Sequence, residues 1–241
     1  MRLTHMSFRT LALAAALLAL PAALHAQAVA GAAGSGTNFK DTTPLKLPTG
    51  QRAAIYEFED LECPACAHAY PIVHAAVEHY KIPILRHDFP LQMHKWSRDA
   101  AITARYLQDK VSPEAAEMFR KDVFANQTSI SSKEDLQAFT RNWFTSHKQV
   151  GGMPFVMDPS GRFNLEVEQD YNLGVKIGLT QTPTIFVLAP KGWTQVTDVT
   201  QLYTTIENAL AQTPAKATSA KASPARTTAH NNIRKPATAQ N

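Results

Sequence analysis

Cysteine is scarce in this sequence: the 241 residues contain only Cys63 and Cys66. A framework of several disulfides is therefore excluded, because no third thiol exists to pair with either residue. A metal site is weakly supported, since zinc takes about four nitrogen or sulfur ligands. His68 and His94 are poor candidates to complete such a set. We expect no metal and no cofactor.

Long apolar runs are also scarce. The run Leu11 to Leu20 is about half the length that a membrane helix needs, roughly 20 residues. Two arginines precede it and small residues follow, with cleavage expected after Ala26 or Ala30. A lipoprotein anchor is excluded because no cysteine lies near the cleavage region. We therefore expect a signal peptide at 1–26 and a soluble mature protein in the periplasm or secreted, where disulfides persist.

Acidic residues are absent beyond residue 211. Of the 24 basic residues, two lie in the signal peptide and five beyond residue 211, which leaves 17 basic against 20 acidic residues in the body. The basic excess therefore belongs to the tail, 212–241, and no nucleic-acid partner is expected. The tail's composition predicts disorder, with weak adhesion to an anionic envelope surface as the alternative. Residues 27–52 are expected to form a linker and lead-in.

Hydrophobic periodicity predicts one α/β domain over residues 53–211. A strand, a helix and a second strand come first, and a block of helices at about 97–177 follows. Two strands and a helix end the domain. This order is that of a thioredoxin-like fold with an inserted α-helical domain.

The two cysteines differ in their expected positions. Pro64 suits the first position of a helix, which places Cys63 at the helix N-terminus, where unpaired amides favour a thiolate. Cys66 follows one turn later and should face the core. Cys63 is therefore predicted to be the nucleophile and Cys66 the resolving thiol. A structural disulfide is the weaker alternative, because so short a loop restrains the unfolded chain little.

Acidic residues surround the strand before Cys63. Glu57 should be buried in that strand, where its carboxylate is a candidate proton relay; a partly solvated edge position is the alternative. Glu59, Asp60 and Glu62 are interpreted as a solvated acidic turn. Their negative charge would oppose the thiolate.

A second signal is Thr182-Pro183 directly before a predicted strand. A cis bond is accessible at an X-Pro position. It would leave the carbonyl of Gln181 and the backbone of Thr182 free to bind an extended peptide beside Cys63.

Taken together, these segments resemble the DsbA-like thiol:disulfide oxidoreductases. The resemblance lies in the run from Glu57 to Cys66, in Asp88-Phe89-Pro90-Leu91 with His94 after it, and in Thr182-Pro183-Thr184. It implies a thioredoxin fold with a helical insertion, exchange through Cys63 and Cys66, a cis bond at Pro183, and Glu57 as the buried acid. Substrate contacts are assigned to Thr182, Pro183, Pro64 and Ala65.

One position departs from the family pattern. Well-known oxidising members carry His where this chain has Ala65, and Ala cannot stabilise the thiolate with its side chain. We therefore expect a less oxidising site than in those members.

The function expected from the sequence is the introduction of disulfides into cysteine-containing exported proteins. A redox-recycling partner, for which a membrane-bound protein is one candidate, would reoxidise the site. The alternatives are a disulfide reductase or isomerase, and a non-catalytic, chaperone-like module that binds peptides.

Overall fold

The structure is a computed structural model that describes residues 30–31, 39–150, 158 and 160–213. The predicted signal peptide, the first part of the lead-in and the basic tail from residue 214 lie outside these residues. Among the described helices, none is long and apolar enough to span a membrane.

A sheet of five strands lies at the centre of the described part of the chain. In chain order the strands are β1 (Ala30–Gly31), β2 (Ala54–Glu59), β3 (Ile84–Asp88), β4 (Thr184–Ala189) and β5 (Gly192–Val196). Their order across the sheet is β1-β5-β4-β2-β3, and β2 and β3 are parallel while the other neighbours are antiparallel. Strand β2 lies between β4 and β3, so the strand that leads to Cys63 is in the interior of the sheet.

In the described part of the chain, six α-helices pack around the sheet, and four of them follow one another between β3 and β4. From β2 onward the predicted order of elements is confirmed, as is the thioredoxin-like α/β fold with inserted helices; β1 was not predicted. Short 3₁₀ turns lie at Gln127–Ser129, Lys148–Val150 and Val199–Gln201. The helices are α1 (Pro64–Tyr80), α2 (Ser97–Lys110), α3 (Pro113–Asn126), α4 (Lys133–Ser146), α5 (Arg162–Ile177) and α6 (Leu202–Ala211).

Both faces of the sheet are covered by packed side chains, and β2 and β4 are therefore buried along their whole length. Ile55 and its alternate neighbours pack against α1 and α6. Phe58 and Phe186 lie on the opposite face with the end of α5. The described part of the lead-in packs there too, since Leu45 is buried and Phe39 makes an edge-to-face contact with Phe186.

A third apolar cluster lies between α1 and the inserted helices. Trp96, Phe119 and Trp143 are buried in it, and Cys63 and Cys66 belong to the same cluster. The two cysteines therefore lie at the boundary between the sheet and the inserted helices. Side chains from both parts of the fold can reach them.

Candidate active site

Cys63 is the N-cap residue of α1. Its backbone is extended, Pro64 takes the first helical position as predicted, and the Cys63 amide donates to the carbonyl of Asp60 at 3.0 Å. The side chain is largely buried, and its Sγ lies 3.3 Å from the carbonyl oxygen of Thr182, to which the thiol donates when it is protonated. The end of β2 and the start of β4 thus meet at this thiol.

The surroundings of Cys63 favour its thiolate. A hydrogen bond from the Cys66 thiol is the main reason that the pKa of Cys63 falls to about 5, and the backbone amides of Cys66 and Ala65 act in the same direction. Partial burial opposes the shift but is outweighed. These amides are the unpaired N–H groups at the start of α1, which attract negative charge.

Cys66 has the opposite character. It is 2% exposed, and burial is the main reason that its pKa lies well above the ordinary value. Its hydrogen bond to Cys63 raises the pKa further, and the backbone amide of Asp60, which donates to Cys66 Sγ at 3.4 Å, partly offsets the rise. Both cysteines are free thiols in this structure. The pair can therefore supply one reactive thiolate and one protonated thiol held beside it.

The other residues assigned to substrate contacts lie around Cys63. Pro64 and Ala65 are exposed, Thr182 is largely buried, and Pro183 is partly buried. The Thr182–Pro183 peptide bond is cis. Two details of the sequence interpretation were wrong. The Gln181 carbonyl is not free, because the Thr184 hydroxyl donates to it at 2.8 Å. The Thr182 carbonyl is not free either, because it accepts from the Cys63 thiol.

Glu57 is buried in the middle of β2, with an exposed fraction of 3%. It faces the α1 side of the sheet, as Ile55 does. Burial and then the negative charge of Glu59 raise its pKa to about 8, while Arg86, with Nε 3.8 Å from Oε2, opposes the rise. A carboxyl group with this pKa can exchange a proton near neutral pH.

The acidic turn is not solvated, contrary to the interpretation of the sequence. Glu59 and Asp60 are each 2% exposed, and Glu62 is partly buried. The backbone amides of Trp96 and Ser97 donate to Glu62 Oε2 at 2.7 and 3.0 Å, at the start of α2. Each of the three carboxylates is thus shielded from solvent and accepts hydrogen bonds from groups of the protein. Arg120 is among the partners of Glu59, and His94 among those of Asp60.

A comparison with protein-family models identifies the family of this chain. The family model described as thioredoxin matches residues 50–208. The chain belongs to this thioredoxin family.

Solved structures show which thioredoxin-family folds it resembles. It is similar to the thiol-disulfide exchange protein alpha-DsbA2 of Wolbachia pipientis, at 16% identity over 68% of this chain and 84% of that chain, with a TM-score of 0.52. It is also similar to alpha-DsbA1 of the same organism, at 16% identity over 73% of this chain and 93% of that chain, with a TM-score of 0.52. A third similar structure is Proteus mirabilis ScsC in a compact conformation, at 16% identity over 66% of this chain and 84% of that chain, with a TM-score of 0.52. The predicted resemblance to DsbA-like proteins is therefore confirmed at the level of the fold. A comparison with curated protein sequences found no match.

Three residues of this thioredoxin-family site escaped the sequence interpretation. Arg86 on β3 and Arg120 on α3 hold the buried carboxylates of β2. Gln127, after α3, donates from Nε2 to the carbonyls of Leu61 and Cys63 at 2.7 and 3.1 Å. Arg86 lies opposite Glu57 in the parallel register, so opposite charges on paired buried strands were a usable signal. Arg120 and Gln127 carry no such signal.

Proposed function

We propose that this thioredoxin-family protein is an exported thiol:disulfide oxidoreductase that introduces disulfides into cysteine-containing exported proteins. The observation that carries the proposal is the asymmetry of the pair: Cys63 has a pKa of about 5 at a helix start, and Cys66 is buried with a raised pKa. A stabilised thiolate is a good leaving group and favours the reduced form of the site, so the disulfide form acts as an oxidant. One protein of similar fold is described as a thiol-disulfide exchange protein.

The reaction begins with the Cys63–Cys66 disulfide. A substrate thiolate attacks Cys63 Sγ, the bond between the cysteines breaks, and Cys66 leaves and takes up a proton. A second substrate thiolate then attacks the substrate sulfur of the mixed disulfide and expels Cys63 as a thiolate. Two electrons pass from the substrate to the pair, and a recycling partner must remove them.

The substrate surface is proposed to be the exposed start of α1 and the segment before β4. Pro64 and Ala65 are accessible, and Thr182 contacts Cys63 directly. An extended peptide that lies along Thr182 and Pro183 would bring its own sulfur to Cys63.

Glu57 is proposed to exchange the proton of Cys66. Its carboxyl group lies on the side of the sheet that α1 covers, and its pKa of about 8 lets it be protonated or ionised near neutral pH. Cys66 must lose a proton when the disulfide forms and gain one when the disulfide breaks. A buried thiol has little access to water for this exchange.

Equilibration with glutathione buffers tests the proposed direction of electron flow. Oxidised and reduced protein are separated after acid quenching and alkylation, and a parallel assay follows the oxidative refolding of a reduced multi-cysteine protein. We expect a potential clearly above the roughly −270 mV of thioredoxin, and refolding that Cys63→Ser abolishes.

Other results would select the alternatives. A potential near that of thioredoxin would make the protein a reductase. Rescue of a scrambled substrate without net oxidation would make it an isomerase. Peptide binding by a wild-type protein whose Cys63 does not react would leave a non-catalytic binding module.

A further inference from the structure

Asp60 contacts both cysteines through its backbone. Its carbonyl accepts from the Cys63 amide at 3.0 Å, and its own amide donates to Cys66 Sγ at 3.4 Å. These two bonds depend on the orientation of the peptide groups on either side of Asp60. Contacts that hold Asp60 in place therefore also determine the geometry of the hydrogen bond that its amide donates to Cys66.

The carboxylate of Asp60 is fixed by four hydrogen bonds. Oδ1 accepts from the Glu62 amide at 2.8 Å and from the Ser97 hydroxyl. Oδ2 accepts from the Leu91 amide and from Nδ1 of His94, each at 2.7 Å. The Asp60 side chain is fully buried, whereas His94 is 18% exposed. A buried carboxylate needs such donors because its desolvation is costly.

The segment between β3 and α2 supplies two of these four donors, Leu91 and His94. The Phe89 amide donates to the Glu59 carbonyl at 2.8 Å, and the His94 amide donates to the Leu91 carbonyl at 3.0 Å, which closes a turn. Two donors to Asp60 are side chains, those of His94 and Ser97. His94 is the one that can be replaced with least disturbance of the core, since its ring reaches solvent while its Nδ1 faces Asp60.

We propose that His94 is a positioning residue for Cys66, acting through Asp60, so that the resolving thiol attacks a mixed disulfide at Cys63 efficiently. In that step the Cys66 thiolate attacks Cys63 Sγ, the Cys63–Cys66 bond forms, and the bond from Cys63 to the bound sulfur breaks. The electron pair leaves with the expelled thiolate, and the Cys66 proton passes to solvent or to a buried base. The mixed disulfide is the oxidant. This inference rests on the exchange function proposed above.

Reaction of the reduced protein with Ellman's reagent separates the two cysteines. Attack by Cys63 releases one coloured thiolate and leaves a mixed disulfide, and attack by Cys66 then releases the second. Stopped-flow absorbance under excess reagent gives both rates in one experiment. Cys66→Ser identifies the second phase, because that variant lacks the resolving thiol and releases only the first equivalent of coloured thiolate.

His94→Ala should slow the second phase by about fivefold, the effect of one ordinary hydrogen bond, and leave the first phase unchanged. His94→Asn, whose amide can donate from a position close to Nδ1, should restore the second phase. Two controls should keep the wild-type ratio of the phases. Met93→Ala alters an exposed neighbour of His94. Arg52→Ala removes hydrogen bonds to the carbonyls of Leu210 in α6 and of Thr213 after it, so it lowers stability away from the site.

The outcomes are distinguishable. Loss of stability in His94→Ala with an unchanged second phase would reduce His94 to a structural residue and overturn the inference. Slowing that His94→Asn does not relieve would also overturn it. If His94→Ala does not fold, Ser97→Ala removes another donor to Asp60, and an unchanged second phase there rejects the inference as well. A wild-type protein with no second phase would instead reject the proposed function.

Discussion

Nη1 of Arg120 lies 2.7 Å from Oε1 of Glu59, and the same nitrogen lies 2.7 Å from Oδ1 of Asp88. Arg120 is on α3, whereas its two partners end β2 and β3. All three side chains are almost completely buried. The inserted helices are thereby tied to the strand that leads to Cys63.

Arg120→Met should lower the free energy of unfolding by about 3–5 kcal/mol, because it leaves the buried carboxylate of Glu59 poorly compensated. Urea denaturation of the reduced protein measures the change. The matched control is Arg162→Ala, which removes exposed ion pairs with Asp109 and Glu166 and should change stability far less. Equal losses in the two variants would contradict the assigned role of Arg120.

The low pKa of Cys63 should appear in the pH dependence of the reduction potential. Above about pH 5 the reduced site keeps Cys63 as a thiolate, so reduction takes up only the Cys66 proton. The potential should then fall by about 30 mV per pH unit between about pH 6 and pH 8, and by about twice that below pH 5.

The same shift affects the stability of the reduced fold. The folded pKa of Cys63 lies below the unfolded value of about 8.5, so the thiolate's contribution to stability is full above pH 8.5 and is lost as the pH falls through 5.

Glutathione equilibria at several pH values check the predicted pH dependence of the reduction potential. A slope of about 59 mV per pH unit throughout would mean that the thiolate is not stabilised.

Ala65→His should make the site more oxidising. Ala65 now supports the Cys63 thiolate only through its backbone amide, and an imidazole there would add a positive or hydrogen-bonding group. The measurement is the glutathione equilibrium at fixed pH. His68→Ala, on an exposed position of α1, should leave the potential unchanged. A potential for Ala65→His that is unchanged or lower would refute the expected influence of this position.

Glu57→Gln should stabilise the protein at alkaline pH. The folded pKa of Glu57, about 8, lies above its unfolded value of 4.5, so its contribution is full below pH 4.5 and is lost as the pH rises through 8. Glutamine does not titrate, so the free energy of unfolding of the variant should rise relative to that of wild type as the pH increases. The difference should grow by at least about 1 kcal/mol between pH 5 and pH 8.5.

Urea denaturation at these two pH values, in the reduced state, measures the difference. Glu78→Gln is the control, because Glu78 is exposed and forms its ion pair with the exposed Lys81. It should show no such gain over the same range. A constant difference between wild type and Glu57→Gln would mean that Glu57 stays ionised in the fold.

Local features of the sequence predicted much of the site. Pro64 begins α1, and Cys63 and Cys66 fall at the predicted places on α1. These features depend on neighbouring residues, since helix starts, helix ends and apolar periodicity are set within a few residues. The interpretation of the acidic turn was wrong because the partners of its carboxylates lie far away along the chain. Three carboxylates in four residues look solvated until their partners are known.

The order of the elements, the position of the two thiols and the difference between them follow from the amino-acid sequence alone, because spacing and capping act locally. The contacts of the carboxylates near Cys63 depend on the folded arrangement of the chain. Arg86, Arg120 and His94 lie far from them along the chain and meet them only when the sheet closes and the inserted helices pack against it. The environment of a buried charge is set by such distant partners, and no local pattern records it.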